Sequence, residues 1–582
     1  MATTVSAWRV ASVGVMLLNL AVVATAADTG IAVMHTQNHT PTADVLIVGG
    51  KVIDGSGSPW VRADVAITGD RIVAIGQLRH WHAKQIIDAH ERVVTPGFID
   101  MLGQSELSIL VDPRLPSKIY QGITSEITGE GNSVAPLTPG NAPLLAGSLT
   151  HYHLQADWRD FNEYFQTLTR RGMGINLGSF VGATSVRAAV VGFADRRATP
   201  EEIQAMQALV ATAMRQGALG LSSSLQYAPA PYASTAELTA LAQTAAQYGG
   251  IYATHLRSEG AQLMTALDEA FSIGNDAHLP VEIWHLKAAG VHQFGWMPRV
   301  VDKINSARAQ GIDVTADTYG YTAWFNSMSA FMPPWAHDGG PTELIKRLKD
   351  PVTRARIRAD LLDEQATWDN EWQEVKNPAG ILIGVTHNPQ LHDLQGKTLA
   401  EIAASRHQDP LDTLIDILAE DQAETECAVF GMQESDVALG VIQPWMSFNN
   451  DSAGTSPDGL LGQDHPHPRA YGTFPRILRV YVREQHLLPL ETMIQKFTAL
   501  PASRLGLTDR GLLKLGMKAD VVIFDPATLT DNATFAEPNQ LSNGMQWVLV
   551  NGQPVIANGQ MTGRLPGQVI KGPGVKTVSM HP

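Results

Sequence analysis

The chain has 582 residues, 44% of them apolar and 17% charged, with a formal net charge of -15. That length exceeds a single compact core and points to two or more domains, one of them large. The acidic balance, with no cluster of Lys and Arg, excludes a nucleic-acid partner, because phosphate neutralisation needs grouped cations; a small-molecule or peptide substrate is left.

Residues 1–27 read as a secretory signal. Arg9 precedes the apolar run VASVGVMLLNLAVVA, and Ala24-Thr25-Ala26 supplies a small-x-small cleavage site. The run is short for a membrane span, which needs about 20 apolar residues; an uncleaved anchor is the alternative. No later stretch has that apolar length, so the expectation is an exported protein, periplasmic or secreted, without stable membrane insertion after cleavage. Cys427, the only cysteine, permits no internal disulfide and no thiolate cluster, and reads as a small buried residue.

Next come two β-rich stretches, ADVLIVGGKVIDGSG (Ala43 to Gly57) and ADVAITGDRIVAIG (Ala63 to Gly76). Their pattern returns near the far end in ADVVIFDP (Ala519 to Pro526) and QWVLVNGQPVIANG (Gln546 to Gly559), the last with an Asn-Gly hairpin turn. The match predicts one small β-sandwich built from residues 28–95 and 506–582, with a second domain, 96–505, inserted between. In that insert eight apolar runs recur with helical stretches between them: RVVTPGFID, GITSEITGE, GINLGSFVG, GALGLSSSL, GIYATHL, VEIWHL, GIDVTADTY and VALGVIQPWMSFNND. Eight parallel βα units close a (β/α)8 TIM barrel, an α/β fold whose active site lies at the C-terminal ends of the strands. About residues 322–437 exceed a plain crossover. They read as an insertion with an extra strand at GILIGV, either covering the barrel mouth or purely structural.

Polar residues stand at the strand ends: Glu130, His255, His285 and Asp451. His255 and His285 are 30 positions apart, about one βα unit, which brings both to the same face. Two imidazoles and one carboxylate leave a fourth tetrahedral position open, as in catalytic zinc sites. Such a site lowers the pKa of a water to ~7 and polarises a carbonyl, the two requirements for cutting an amide near neutral pH. Asp451 then serves as general base and proton donor; the alternative for Asn-Asp-Ser-Ala-Gly is a simple turn.

The PGFID strand, GALGLSSSLQYAPAPYAS, YATHLRSEG, WHLKAAG, ADTYGYTA, HPRAYGTFPRIL and LTDRGLLKLGMKADVVIFDP together resemble the amidohydrolase superfamily, in particular the D-aminoacylase or N-acyl-D-amino-acid deacylase group, over about residues 43–560. The resemblance implies a distorted (β/α)8 barrel beside a small β-sandwich, with zinc as the usual metal. His255 and His285 match the two zinc histidines, Asp451 the catalytic Asp of the last strand, and Glu130 the place of a third ligand that is commonly Cys. A carboxylate can replace a thiolate on zinc. Lys287, Tyr319 and Arg469 match positions that contact the carboxylate of the acylated amino acid.

The chain departs from the group in PGFIDMLGQSE. Leu102 and Gln104 stand where relatives carry a His-x-His pair for a weaker or second metal. Leu cannot ligate and Gln is a poor zinc ligand, so one zinc, or another divalent metal, is expected per chain. Gln104, counted with Lys287, Tyr319 and Arg469 among the substrate-binding residues, or Glu106 is left to orient water or donate a hydrogen bond, although Glu106 also reads as a helix-start carboxylate. Trp324-Phe325 replaces a Gly-Ser pair and, with Phe331, Met332 and Trp335, suggests either a wide apolar acyl site or a packed insertion core. The expected function is a metal-dependent hydrolase of an N-acyl amino acid or related amide, zinc-bound hydroxide attacking the carbonyl and Asp451 moving the proton. A D-specific dipeptidase and a long-chain N-acyl amide hydrolase are the alternatives, and a hydrolase-derived binding protein without turnover is the alternative of another class.

Overall fold

A computed structural model describes residues 41–575, and the expected signal at 1–27 lies outside the described residues. The described chain opens with strands β1 (Thr42–Val52), β2 (Val61–Thr68), β3 (Arg71–Gly76), β4 (His82–Asp88) and β5 (Val93–Pro96). β1 pairs antiparallel with β2 on one edge; its other edge is shared, the first half by β4 and the second by β5, both parallel.

Gly97 marks the passage from this sheet to the barrel. A Cβ there would stand 2.1 Å from Thr124 Oγ1, so only glycine lets the chain turn against the neighbouring strand. RVVTPGFID, expected as one strand, is therefore two that serve different sheets.

The barrel runs through β6 (Phe98–Asp100), β7 (Ile123–Thr128), β8 (Asn176–Ser179), β9 (Val181–Gly182), β10 (Gly220–Ser224), β11 (Ile251–His255), β12 (Val281–Ile283) and β13 (Val314–Thr318). β6, β7 and β8 pair in parallel, as do β9 to β13 in order. β8 and β9 are one kinked strand: between them the Phe180 N–H donates to Thr128 O at 2.9 Å, and the Leu219 N–H donates to Ser179 O at 3.0 Å. The strands are buried on both faces, as parallel strands covered by helices must be. Helix Pro200–Gln216 shows how a crossover is delimited: Thr199 and Glu202 form a reciprocal capping box, Pro200 opens the first turn, and Gly217 at φ 117 ends it.

The insertion carries β14 (Trp324–Ser327), β15 (Ile381–Val385, the expected extra strand) and β16 (Glu426–Val429), a small antiparallel sheet in the order β14-β16-β15. Cys427 is buried in β16, as expected. The final barrel strand is β17 (Met446–Phe448). It is shorter than the run VALGVIQPWMSFNND, because Glu434–Val441 is helical, with two acids in its first turn and Val437, Gly440 and Val441 recurring on the buried face. β17 pairs with β13 and closes the barrel on β6, the Met101 N–H reaching Phe448 O at 3.3 Å.

At the far end β18 (Val521–Phe524), β19 (Met545–Val550), β20 (Gln553–Ala557) and β21 (Gln560–Met561) form a meander, with Asn551 and Gly552 at positive φ in the expected hairpin turn. β18 pairs antiparallel with β5, so both chain ends join one nine-stranded sheet in the order β21-β20-β19-β18-β5-β1-β2-β3, with β4 on β1. Ile47, Val65, Val94, Val521, Ile523 and Leu549, drawn from both ends, share one buried cluster. The end domain expected over 506–582 stops earlier: the chain near residue 570 runs along the barrel, where Ile570 is buried with Ile127 and Trp284 and its N–H donates to Leu177 O at 2.8 Å.

Candidate active site

The C-terminal ends of the barrel strands open into a cavity of about 900 Å3. Glu130 just beyond β7, His255 at the end of β11, His285 just beyond β12 and Asp451 just beyond β17 all line it. Glu130 Oε1 lies 3.1 Å from His255 Nδ1 and 3.0 Å from His285 Nε2, and the two ring nitrogens are 3.1 Å apart. A tetrahedral cation with bonds of 2.0–2.1 Å spaces its ligand atoms by about 3.3 Å, so this triangle fits a divalent ion. The outer nitrogens are also provided for. His255 Nε2 faces Gln226 Oε1 at 2.9 Å and His285 Nδ1 faces Glu259 Oε1 at 3.0 Å. An acceptor outside each ring favours the tautomer whose lone pair faces the centre, and a cation held there displaces the inward proton.

The backbone is strained where it presents two of these groups. His285 has φ 36 and Asp451 φ 46, a left-handed conformation that costs a non-glycine residue roughly 1–2 kcal/mol. Each is tied down. The His285 N–H donates to Asp317 Oδ1 at 2.6 Å; the Asp451 N–H donates to Leu102 O at 2.8 Å, and that of Asn450 to Asp100 Oδ1 at 2.9 Å. Asp100 Oδ2 in turn meets Lys118 Nζ at 2.8 Å, which also donates to Ser452 O at 2.9 Å and lies 3.4 Å from Glu126 Oε2. All three charged side chains are 0% exposed. A buried cation and two carboxyls thus fasten the loop on both sides of Asp451.

Negative charge collects at the centre. Burial and the Lys287 charge push the His285 imidazole down, yet Asp451, Glu259 and Glu130 outweigh them and raise it to about 10. Burial likewise pushes Glu259 up, but Lys287 and the two imidazoles hold its carboxyl well below the usual range. Burial raises Asp451 above the ordinary aspartate value against the pull of Arg469 and His285. Three carboxylates around two imidazoles attract a cation.

The residues expected to hold substrate divide into two groups. Gln104 and Lys287 line the cavity. The Gln104 Nε2 donates to Glu130 Oε2 at 3.0 Å and Asp451 Oδ1 at 3.2 Å, and Lys287 Nζ is 2.6 Å from each oxygen of Glu259. Tyr319 and Arg469 stand behind the wall, fully buried. The Tyr319 hydroxyl meets Met432 Sδ at 3.7 Å, and its ring underlies the Arg469 guanidinium at 4.7 Å. Arg469 Nη1 is 2.9 Å from Asp451 Oδ2, and Nη2 donates to Phe325 O at 3.1 Å. Of the aromatic set, Trp324, Phe325 and Met332 line the cavity, whereas Phe331 is buried in the main core and Trp335 packs beside it, its Nε1 donating to Asp360 Oδ2 at 2.7 Å.

Sequence reasoning missed Glu259 and Gln226, although both follow barrel strands within quoted motifs, YATHLRSEG and SSSLQYAPAP. The strand-end rule that found the histidines reaches them too. Glu106, expected to start a helix, does precede the short helix Ser108–Val111, but it also lines the cavity.

The model of the Amidohydrolase family matches residues 85–556. The chain belongs to the amidohydrolase family. This amidohydrolase is 35% identical over 539 residues to D-aminoacylase of Alcaligenes xylosoxydans xylosoxydans, a match covering 92% of the chain and 99% of the relative. It superposes with a TM-score of 0.75 and 34% identity on a D-aminoacylase whose binuclear metal centre shows one-metal activation and second-metal attenuation, covering 90% of this chain and 99% of the other. An N-acyl-D-glutamate deacylase from Bordetella bronchiseptica, complexed with zinc and a phosphonate mimic of the tetrahedral intermediate, matches with TM-score 0.75 and 32% identity over 91% of this chain and 100% of that one. The motif resemblance and the barrel with an extra domain both hold for this amidohydrolase.

Proposed function

We propose that this amidohydrolase is a zinc-dependent hydrolase of N-acyl amino acids, exported by its N-terminal segment, with Glu130, His255 and His285 holding one cation. The observation that carries the reading is the 3.0–3.1 Å triangle of their ligand atoms, with the Asp451 carboxyl joined to its edge through Gln104. When bound, the cation supplies Lewis acidity, making water nucleophilic near neutral pH and drawing charge from the amide oxygen. Asp451, its Oδ1 held by Gln104 and its Oδ2 by Arg469, takes a proton from water and returns it to the leaving nitrogen. Glu259 fixes His285, and Lys287 in turn fixes Glu259. Lys287, which lines the cavity, is the anchor assigned to the leaving amino acid's carboxylate, and Arg469 adds positive charge from behind the wall. Gln104, expected as a substrate contact, has its amide hydrogens taken by two carboxylates and is assigned to the protein's own geometry.

A second reading concerns the acyl side. Glu106, Glu426 and Asp464 line the cavity, and after burial their charges raise the neighbouring Tyr152 phenol. Glu106 Oε2 is buried without a protein partner among the described residues, and burial first pushes Glu106 up to about 8 and Glu426 up to about 7. Such a wall suits a protonated amine better than a fatty chain, so a dipeptide with a free amino end is favoured over a long-chain amide. Comparison of kcat/KM for N-acetyl, N-lauroyl and aminoacyl forms of one D-amino acid tests both readings. Acetyl and aminoacyl forms are expected to exceed the lauroyl form by about tenfold or more, one misplaced apolar or charged group being worth at least ~1.4 kcal/mol. A lauroyl preference contradicts the acidic wall, and no turnover of any form by metal-replete protein leaves the binding protein.

A further inference from the structure

The first-strand position that holds a metal histidine in relatives holds Gln104 here, and its side chain is not idle. The Nε2 group has two hydrogens and two carboxylate acceptors, Glu130 Oε2 at 3.0 Å and Asp451 Oδ1 at 3.2 Å. The other oxygen of each carboxylate is engaged elsewhere: Glu130 Oε1 in the triangle with both imidazoles, and Asp451 Oδ2 with Arg469. Two neighbouring carboxylates repel unless a cation or hydrogen-bond donors stand between them. Here the donors are a neutral amide.

Leu102 and Gly103 offer no further ligand. Leu102 is fully buried, packed with Ile127, Phe180 and Trp284. Gly103 has no room for a side chain, since a Cβ would lie 2.0 Å from Glu126 Oε1. Gln104 is also registered to the loop it serves, because its backbone N–H donates to Ser452 O at 3.1 Å, next to Asp451.

We infer that the Gln104 amide takes the place of a second cation, bridging Glu130 and Asp451 and confining the site to one metal. It is a positioning residue: it turns one Glu130 oxygen toward the triangle, sets the Asp451 carboxyl, and adds no charge. D-aminoacylase is activated by one metal and attenuated by a second; this chain is held in the one-metal arrangement by its own side chain. The inference rests on the amide-hydrolase reading for its rate measurement and not for its metal count.

The test uses the full chain, equilibrated with excess zinc chloride, freed of loose ion by gel filtration, and assayed for zinc by elemental analysis. The wild type is expected to retain one zinc, with a rate that stays flat as zinc rises past the first equivalent. Gln104→Glu has the same shape but puts a third carboxylate between the other two, and is expected to retain a second zinc. Gln104→Met keeps the length and loses both donors. It is expected to retain one zinc while kcat falls by about tenfold or more and KM changes little, the scale of a lost hydrogen bond to a charged group. Two zincs in the wild type, one zinc in Gln104→Glu, or an unchanged kcat in Gln104→Met would each overturn the inference. Proteins that hydrolyse no amide but give the expected metal counts would remove the functional reading and leave the clamp standing.

Discussion

Asp451→Asn is expected to keep its metal and lose about 1,000-fold in kcat. The substitution preserves shape and leaves the triangle of Glu130, His255 and His285 untouched, so zinc content is unchanged. What disappears is the proton acceptor. Burial raises the Asp451 carboxyl above the ordinary aspartate range, and Arg469 only partly opposes that. Because the base form is required, the wild-type rate should climb with pH along a limb that lies above the usual aspartate value, and the variant's residual rate should lack that limb. Steady-state kinetics from pH 4 to 9, with metal analysis of the same samples, checks both. Full activity in the variant would take the proton transfer away from Asp451.

Lys118→Met is expected to lose about 3–5 kcal/mol of stability, the penalty for stranding buried charge when one member of an ion cluster is removed. Lys118, Asp100 and Glu126 have no exposed surface, so the two carboxyls cannot turn to water. Even beside the ammonium, burial pushes Asp100 up to about 7. A carboxyl whose folded pKa exceeds its unfolded value binds its proton more tightly when folded, so its contribution to stability falls as pH rises from about 4 through about 7. Removing Lys118 raises that carboxyl further, and the deficit should therefore be larger at pH 8 than at pH 5. Urea unfolding at the two pH values measures it, and a variant as stable as the wild type at pH 8 would show that the cluster does not fasten the Asp451 loop.

Much of the candidate site's geometry was legible because barrel topology converts one-dimensional spacing into shared position. Strands buried on both faces announce themselves as short apolar runs, and whatever polar residue follows each run arrives at the same rim; Glu130, His255, His285 and Asp451 were found that way. Contacts between remote segments were not legible. Nothing local in Thr-Pro-Gly-Phe says that Gly97 must clear Thr124, so one apparent strand proved to be two. The VALGV stretch is apolar enough for a strand, and only its packing as a helix settles the matter. Lys118 lies in a four-residue helix without any motif, and its importance comes from Asp100 and Ser452, far apart in the chain. Tyr319 and Arg469 were placed at the site by motif, but the ring stacks under the guanidinium and both stay behind the wall. The departure at Leu102 and Gln104 was visible at once, whereas the two carboxylates that Gln104 joins lie 26 and 347 positions away and meet it only because β7 and β17 flank β6 in the closed barrel.

The proposed chemistry depends on one divalent ion shared by one carboxylate and two imidazoles at the mouth of the barrel. Anomalous diffraction at the zinc edge, from crystals of the metal-loaded full chain, tests it most directly. A single peak is expected about 2.0–2.2 Å from a Glu130 carboxylate oxygen, His255 Nδ1 and His285 Nε2. A peak held by other side chains, or none within bonding reach of these three, would contradict it.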